Sequence, residues 1–178
     1  MPTDTPSLRI ATAADVAALH RLVEGAYRGD SARRGWTHEA DLLDGQRTDP
    51  QVLADMIADP HQRVLLAENT GTLIGCVGVR FEPPAIGYLG MLSVDPAHQA
   101  AGTGRQLIAA AEALARDTFG ATVMEMTVIR QRGDLIAYYE RRGYRLTGET
   151  RAFPLDDPSF GIPRTRDLVF VVLAKPLA

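Results

Sequence analysis

VDPAHQAAGTGR, residues 94–105, lies between an apolar run and an amphipathic segment. The run before it, residues 86–94, has the length and apolar content of a buried strand. After it, apolar residues recur at three- and four-residue spacing from about Gly102 to Phe119, which predicts a long helix. A glycine-bearing turn from a strand into a helix leaves free backbone N–H groups at the positive end of the helix dipole. The stretch is therefore predicted to bind an anion such as phosphate or pyrophosphate.

Two well-known phosphate loops do not match this stretch. A loop for nucleoside triphosphates needs Gly-Lys-Ser/Thr, where this chain has Gly104-Arg105-Gln106. The dinucleotide fingerprint needs a third glycine where Leu107 stands. On spacing alone, a phosphate cradle and an ordinary glycine-rich helix start are therefore equal alternatives.

The remaining elements predict one mixed domain over residues 1–178. Strands are predicted at 8–11, 64–68, 73–81, 86–94, 122–128, 144–153 and 167–174, and helices at about 13–27, 51–58, 102–119 and 133–142. The polar segment 29–48 and the segment 154–163 are predicted loops, the second a hairpin connection. The fold class is α/β (α+β), with about seven strands and about four helices.

Composition excludes several classes of function. The 178 residues are 46% hydrophobic, which is enough for one core. With 19 basic against 22 acidic residues, the net charge of −3 gives no general attraction for nucleic acid or anionic lipid. The longest uncharged run has 12 residues, short of the ~18 that a membrane-spanning helix needs. We expect no nucleic-acid partner and no membrane partner.

Residue usage also bears on location and on metal binding. The first residues, MPTDTPSLRI, lack the basic and apolar segments of a secretion signal, which predicts a cytoplasmic protein. The single cysteine, Cys76, lies in an apolar stretch and is predicted to be an inert core residue. The four histidines are scattered along the chain, so no metal site is expected.

Two motifs resemble a known family. The segment QAAGTG, residues 99–104, follows LSV, residues 92–94, and is similar to motif A (Q/R-x-x-G-x-G/A) of the GNAT superfamily of acyl-CoA-dependent N-acyltransferases. The segment IAYYERRGY, residues 136–144, resembles the later family segment in which a helix carries a tyrosine four residues before a glycine. Tyr139 takes that tyrosine position. The two motifs stand in the family's order and cover roughly residues 88–147.

The resemblance implies a fold and a reaction. The fold is a mixed, mostly antiparallel sheet that splays open between its fourth and fifth strands, here 86–94 and 122–128, with the acyl-CoA in the gap. The reaction is transfer of the acetyl group of acetyl-CoA, as co-substrate, to a primary amine of a small molecule or peptide. Tyr139 would be the general acid for the leaving thiolate. The implied cofactor-binding residues are Leu92, Ser93, Val94, Gln99, Ala100, Ala101, Gly102, Thr103, Gly104 and Arg105.

The base that deprotonates the amine is left open. Glu125 is the one acidic residue in an apolar strand beside the expected gap. Glu39 and Asp41 lie in the early loop that lines the acceptor site in many family members, and water is a further alternative. Trp36 and Glu39 are the predicted substrate-binding residues, although a lone Trp is equally well explained as a loop anchor.

Some features depart from the family pattern. Arg132 stands where many members carry an asparagine that contacts the cofactor, so CoA recognition is expected to differ there. The strand before the glycine loop lacks the acidic base that some members have. Two alternative functions stay open. The first is a domain that binds acyl-CoA without catalysis, and the second is an enzyme that uses a longer acyl donor, selected by Leu92 and Met126. In a domain that binds acyl-CoA without catalysis, Tyr139 would be a core residue.

The acceptor is expected to bind between the segments 29–48 and 154–165, and its identity is not specified by the sequence. The net negative charge of the chain weakly favours a cationic acceptor. A homodimer is possible because closing strands pair between subunits in some members of this superfamily.

Overall fold

The computed structural model describes residues 5–99 and 101–178, within which there are nine strands and five helices. The strands are β1 (Ser7–Ile10), β2 (Leu43–Asp44), β3 (Gln62–Asn69), β4 (Thr72–Glu82), β5 (Ile86–Val94), β6 (Val123–Ile129), β7 (Arg145–Ala152), β8 (Ile162–Pro163) and β9 (Val169–Pro176). The helices are α1 (Val16–Tyr27), α2 (Gly29–Ala32), α3 (Pro50–Ala58), α4 (Thr103–Phe119) and α5 (Gly133–Glu140).

Seven strands form one sheet in the order β1-β3-β4-β5-β6-β9-β7. Five of its neighbouring pairs are antiparallel, and only β5 and β6 run parallel. The parallel pair arises because α4 carries the chain from the end of β5 back to the start of β6, as a parallel connection requires. The predicted mixed, mostly antiparallel sheet is confirmed.

The sheet opens between β5 and β6. The two strands pair only at Ile86–Val123, Gly87–Met124 and Tyr88–Glu125, although β5 continues to Val94. Beyond this point the strands separate, and the predicted splay between the fourth and fifth strands of the sheet is confirmed. The facing edges of both strands then carry backbone groups that lack a sheet partner on that side.

A bulge in β5 sets the direction of its last residues. Cys76 pairs with Ser93 but Gly78 pairs with Gly90, so that two residues of β5 face one residue of β4. Met91, in the bulge, has a positive φ of 56°. A bulge of this kind bends the strand and changes the direction of its backbone groups.

Helices cover both faces of the sheet. On one face, α4 packs against β3, β4 and β5, and its Leu107 and Ala111 lie in one buried cluster with Met124 and Met126 of β6. On the other face, α1 and α3 pack with Leu19 and Leu53 against strands β3 to β5. Each fully buried leucine contributes roughly 1.5–3 kcal/mol to the free energy of folding. These two cores hold the edges of the gap in place.

Cys76 lies in the second of these cores and is fully buried, as predicted. Its Sγ donates to the backbone oxygen of Met91 at 3.5 Å. Burial raises the pKa of the thiol to about 12. The side chain therefore stays a protonated, unreactive part of the core.

The two predicted loops contain regular structure that the sequence did not indicate. The segment 29–48 includes α2 and β2, and the connection between β7 and β9 includes β8. Leu43 pairs with Pro163 and Asp44 with Ile162 in a two-stranded sheet. Strands of two residues are too short to show alternation, and their partners lie about 120 residues away in the chain, so no local pattern could predict them.

No helix among residues 5–99 and 101–178 has the length and apolar character to cross a membrane.

Candidate active site

Two cavities open from the gap between β5 and β6. The first, of about 400 Å³, lies against the end of β5 and the start of α4, and we call it the loop cavity. The second, of about 220 Å³, has Arg28, Arg47 and Arg132 in its wall, and we call it the arginine cavity. The two share five lining residues, which are Tyr27, Leu92, Arg132, Leu135 and Tyr139. The two cavities therefore lie next to each other and share part of their walls.

The start of α4 forms one wall of the loop cavity. Gly102 precedes the helix with φ of 85°, a left-handed conformation that favours glycine. The first helical hydrogen bond runs from Gln106 N–H to the Gly102 oxygen, 3.1 Å. The N–H groups of Thr103, Gly104 and Arg105 therefore have no partner inside the helix. They lie at the positive end of a 17-residue helix and suit an anion.

Gly104, two residues further on, is required because of its close approach to Tyr138. A Cβ atom at this position would lie 2.8 Å from the Tyr138 hydroxyl oxygen, closer than any side-chain carbon tolerates. Tyr138 packs edge-on against Tyr139 and also lines the loop cavity. The absence of a side chain at Gly104 lets the phenol of α5 close against the start of α4.

Besides Arg132, which lines both cavities, two further arginines add positive charge to the loop cavity. Arg105, predicted to contact phosphate, is exposed and lines the cavity. The guanidinium carbon of Arg142 lies 3.4 Å from the centre of the Tyr138 ring. Its Nε is buried and has no hydrogen-bond partner among the described residues. Arg142 is the one member of the basic cluster at 141, 142 and 145 that lines this cavity.

Gln99 ties the loop to its surroundings through its side chain. Its Nε2 donates to the Val94 oxygen at 3.1 Å, and its Oε1 accepts from the Trp36 backbone N–H at 2.9 Å. The Trp36 ring packs on Tyr138, with 5.1 Å between ring centres. Trp36, predicted to bind substrate, therefore lies on the wall of the loop cavity and not of the arginine cavity. Ala100 lies outside the described residues.

The end of β5 directs backbone groups into the gap. The Leu92 oxygen accepts from the Tyr27 hydroxyl at 2.7 Å, and the Val94 oxygen accepts from Gln99. In an extended strand the N–H and C=O of one residue point to the same side. The N–H group of Val94, beyond the bulge, thus also faces the gap, whereas buried Ser93 donates its Oγ to the Met91 oxygen at 3.1 Å.

Tyr139 lies where the two cavities meet and lines both. Its ring is buried between Tyr138 and Tyr144, with ring centres 5.5 and 5.9 Å away in edge-on packing. No described residue hydrogen-bonds its hydroxyl group. Burial, reinforced by the neighbouring Tyr27, raises the pKa of Tyr139 above its usual value. The phenol is therefore held in its protonated, donating form.

Glu39 lies in the arginine cavity with both carboxylate oxygens engaged. Its Oε2 lies 3.0 Å from Arg28 Nη2, and its Oε1 accepts from Arg132 Nη1 at 3.2 Å. All three side chains are about nine-tenths buried. With each oxygen paired to a different guanidinium group, Glu39 anchors the two arginines.

Arg132 joins the early segment to α5. It precedes α5, and its Nη2 donates to Thr37 Oγ1 at 2.8 Å. Its guanidinium carbon lies 5.9 Å from the centre of the Tyr27 ring. Arg132 thus binds the segment around Glu39 and forms part of both cavities.

The two other predicted bases lie away from both cavities. Glu125 Oε2 accepts from Arg151 Nη2 at 3.0 Å. Asp41 is exposed and forms an ion pair with Arg33. Neither is among the residues that line the loop cavity or the arginine cavity. Within residues 5–99 and 101–178, no group of three His, Cys, Asp or Glu side chains is arranged to hold a metal ion.

The sequence did not single out Tyr27, Arg28 or Arg47 for this site. Tyr27 ends the amphipathic pattern of α1, which indicates a helix end and nothing more. Arg28 and Arg47 stand in polar surroundings where a basic residue normally faces solvent. Only their burial in the structure distinguishes them.

The geometry agrees with comparisons to known proteins. A sequence model described as the acetyltransferase (GNAT) family matches residues 25–144, which is more than half of the chain. The chain belongs to the GNAT acetyltransferase family. The matched region runs from the end of α1 to Tyr144. It thus includes the glycine loop and the two tyrosines that line both cavities, Tyr27 and Tyr139. As a GNAT acetyltransferase, the protein is an acyltransferase enzyme.

Solved GNAT structures share the fold across nearly the whole chain. The ribosomal-protein-S18-alanine N-acetyltransferase from Escherichia coli is 14% identical, with a TM-score of 0.70 over 97% of this chain and 94% of that chain. A proposed acetyltransferase, yncA from Salmonella typhimurium, is 20% identical with a TM-score of 0.70 over 97% and 94%, and contains its cofactor acetyl-CoA.

A third structure is the spermidine/spermine N-acetyltransferase from Vibrio cholerae, at 15% identity and a TM-score of 0.68 over 98% of this chain and 94% of that chain. No curated protein sequence matches at a significant level. At these identities the likeness shows the fold, while the names of these proteins describe acceptors as different as a ribosomal protein and a polyamine.

Proposed function

We propose that this GNAT enzyme transfers the acetyl group of acetyl-CoA to a primary amine by direct attack, with the donor in the loop cavity and the amine in the arginine cavity. The observation that carries the proposal is the meeting of the two cavities at Tyr139 and at the end of β5. A single-ligand binding domain needs one cavity, whereas a transfer reaction needs two that share a wall.

The residues of the loop cavity fit a CoA thioester. The N–H groups at the start of α4, from Thr103 to Arg105, suit the pyrophosphate, and Gly102 and Gly104 leave room for close approach of the backbone. The unpartnered Nε of Arg142 offers a further donor to a phosphate. When bound, acetyl-CoA supplies an activated acyl group on sulfur.

A backbone group of β5 stabilises charge in this proposal. The N–H group of Val94 faces the gap, in the wall of the loop cavity that Tyr139 also lines. A fixed N–H directed at a carbonyl oxygen on which negative charge develops is worth about 3 kcal/mol of barrier lowering. The β5 bulge therefore has a catalytic purpose, because it orients this group into the gap.

Tyr139 acts on the leaving sulfur. Its hydroxyl is free of described partners, lies at the junction and stays protonated because burial raises its pKa. A phenol this weakly acidic does not transfer its proton fully to a thiolate with a usual pKa of about 8.5. Tyr139 therefore stabilises the departing thiolate chiefly by donating a hydrogen bond.

The incoming amine must lose its proton, and the arginine cavity favours that loss. Three guanidinium groups in its wall raise the energy of an ammonium group and so lower the pKa of a bound amine. Among the described lining residues Glu39 is the one carboxylate, and both its oxygens are engaged. Water is therefore the proposed proton acceptor.

Thermal unfolding with and without acetyl-CoA tests the donor assignment. At ~100 times its Kd, a ligand that binds only the folded state adds about 2.7 kcal/mol to the free energy of unfolding and raises the midpoint. ADP-ribose serves as the control, because it has the pyrophosphate without the thioester. Release of free thiol in the presence of an amine panel then tests transfer. No midpoint shift, or no thiol release with any amine, would contradict the proposal.

A further inference from the structure

The charges in the arginine cavity do not balance. Arg28, Arg47 and Arg132 line it with Glu39 as the one acidic residue among the described lining side chains. This leaves a formal surplus of two positive charges in a cavity of about 220 Å³. The chain as a whole carries a net charge of −3, so the surplus is local and opposite in sign to the overall charge.

Several donors of these arginines have no partner within the described part of the chain. Arg28 Nε, Arg28 Nη1 and Arg132 Nε are all buried and unpaired. The side chains of Arg28 and Arg132 are 5% and 9% exposed. A buried guanidinium with unmet donors is costly, and proteins normally supply an acceptor or retain the site for a ligand that does.

Arg47 is the arginine most open to a ligand. Its guanidinium carbon lies 4.8 Å from the centre of the Tyr27 ring, and none of the described side chains accepts a hydrogen bond from it. The nearby Glu24 carboxylate contacts the backbone of this segment, because its Oε1 accepts from the N–H groups of Arg47 and Thr48 at 2.7 and 2.8 Å. The Arg47 guanidinium therefore lines the cavity with its donors available.

The remaining wall and the size of the cavity restrict the ligand. Much of the remaining lining is apolar and includes Leu43, Met126, Ile129, Phe153 and Phe170. The volume is below the ~300–1,000 Å³ of cavities for drug-sized ligands. A small molecule with one anionic end and an apolar body matches this combination, whereas a polycation would be repelled.

Resting on the proposed function, we infer that the acceptor amine is a small amino-carboxylate of the α-amino-acid type. Its carboxylate pairs with Arg47 and with the free donors of the buried arginines. Its apolar part lies against Phe153 and Phe170, and its amino group faces Tyr139 at the junction with the loop cavity. Guanidinium groups bind carboxylates through paired, planar hydrogen bonds, which fixes the orientation of such a substrate.

The test compares each of the standard α-amino acids with its own α-carboxamide as acceptor, by thiol release from acetyl-CoA. For the preferred side chain, we expect kcat/KM for the acid to exceed that for the amide by about tenfold or more. The carboxamide makes the neighbouring amine less basic, which by itself favours the amide. A preference for the acid therefore reports the carboxylate contact and not amine basicity.

A variant series assigns the preference to the cavity. Arg47→Gln is expected to lower kcat/KM for the acid about tenfold more than kcat/KM for the amide, and Arg47→Lys should restore part of that difference. Arg116→Gln is the matched control, because Arg116 is exposed at the far end of α4 and pairs with Asp117.

The outcomes separate this inference from the proposed function. Equal rates for acid and amide, or acetylation of spermidine with no acetylation of any amino acid, overturn the inference and leave the proposed function intact. No thiol release with any amine overturns both. An unchanged preference in Arg47→Gln also overturns the assignment of the carboxylate to this residue.

Discussion

The loop cavity and the arginine cavity share five lining residues, yet they are built in different ways. Most of the loop cavity comes from two short stretches, 92–105 and 132–142, and its key groups are backbone N–H groups presented by glycines. The arginine cavity draws on segments from residue 27 to residue 170, and its key groups are buried side chains. Under the proposed function, the cofactor site is thus encoded locally and the acceptor site is encoded by long-range packing.

The largest effect is expected where the cavities meet. Tyr139→Phe should lower kcat about 100-fold while leaving the Kd of acetyl-CoA within twofold, because it removes one hydrogen bond that acts on the leaving sulfur. Stopped-flow thiol release and calorimetric titration measure the two quantities. Tyr144→Phe is the control, since Tyr144 packs on Tyr139 and bonds Glu112 but lines neither cavity. Equal losses in both variants would assign Tyr139 to the core alone.

The loop cavity is tested by a pair of glycines at the two ends of α4. Gly102 and Gly120 have φ of 85° and 71°, so alanine at either position should cost about 1 kcal/mol of unfolding free energy. Only Gly102→Ala should also weaken acetyl-CoA binding, about tenfold, because the N–H groups that follow it shift from their directions. Denaturant unfolding and calorimetry provide both numbers. Equal affinities in the two variants would remove the start of α4 from the cofactor site.

The pH dependence of kcat/KM should depend on two groups, the acceptor amine and the hydroxyl group of Tyr139. kcat/KM should rise with pH as the acceptor amine loses its proton. It should not fall again below a pH of about 10, because burial raises the pKa of Tyr139 and keeps its active, protonated form populated at higher pH than a free phenol. A steady-state profile from pH 6 to 10 measures this. A falling limb near pH 8 in the wild type that is absent in Tyr139→Phe would contradict the raised pKa.

The smallest effect is expected at Glu125, which lines neither cavity. Glu125→Gln should leave kcat and both KM values within twofold and should lower the unfolding free energy by less than about 1 kcal/mol, through loss of the contact with Arg151. Arg151→Gln should give a similar small loss of stability if that contact is the reason. A tenfold fall in kcat for Glu125→Gln alone would restore Glu125 as the base.

Sequence reasoning reached the sheet and the glycine loop but did not indicate which cavity each polar candidate would line. Trp36 was expected at the acceptor and packs beside Tyr138 in the loop cavity. Glu39 lies in the arginine cavity as expected, yet with its oxygens held by Arg28 and Arg132. The type of a polar residue indicates what it can do, whereas its partner depends on which distant side chain folds against it.

The sequence alone determined the order of the longer helices and strands and the position of the glycine-bearing turn before α4, whereas the family resemblance indicated which strand pair opens. The order of the elements and the position of the turn depend on periodicity and on glycine's access to left-handed backbone, which are properties of neighbouring residues. Only the tertiary structure decided that Arg28, Arg47 and Arg132 share one small cavity with Glu39. A lone arginine in a polar segment has no local signature of burial, because burial results from pairing between segments such as β2 and β8 that lie more than a hundred residues apart.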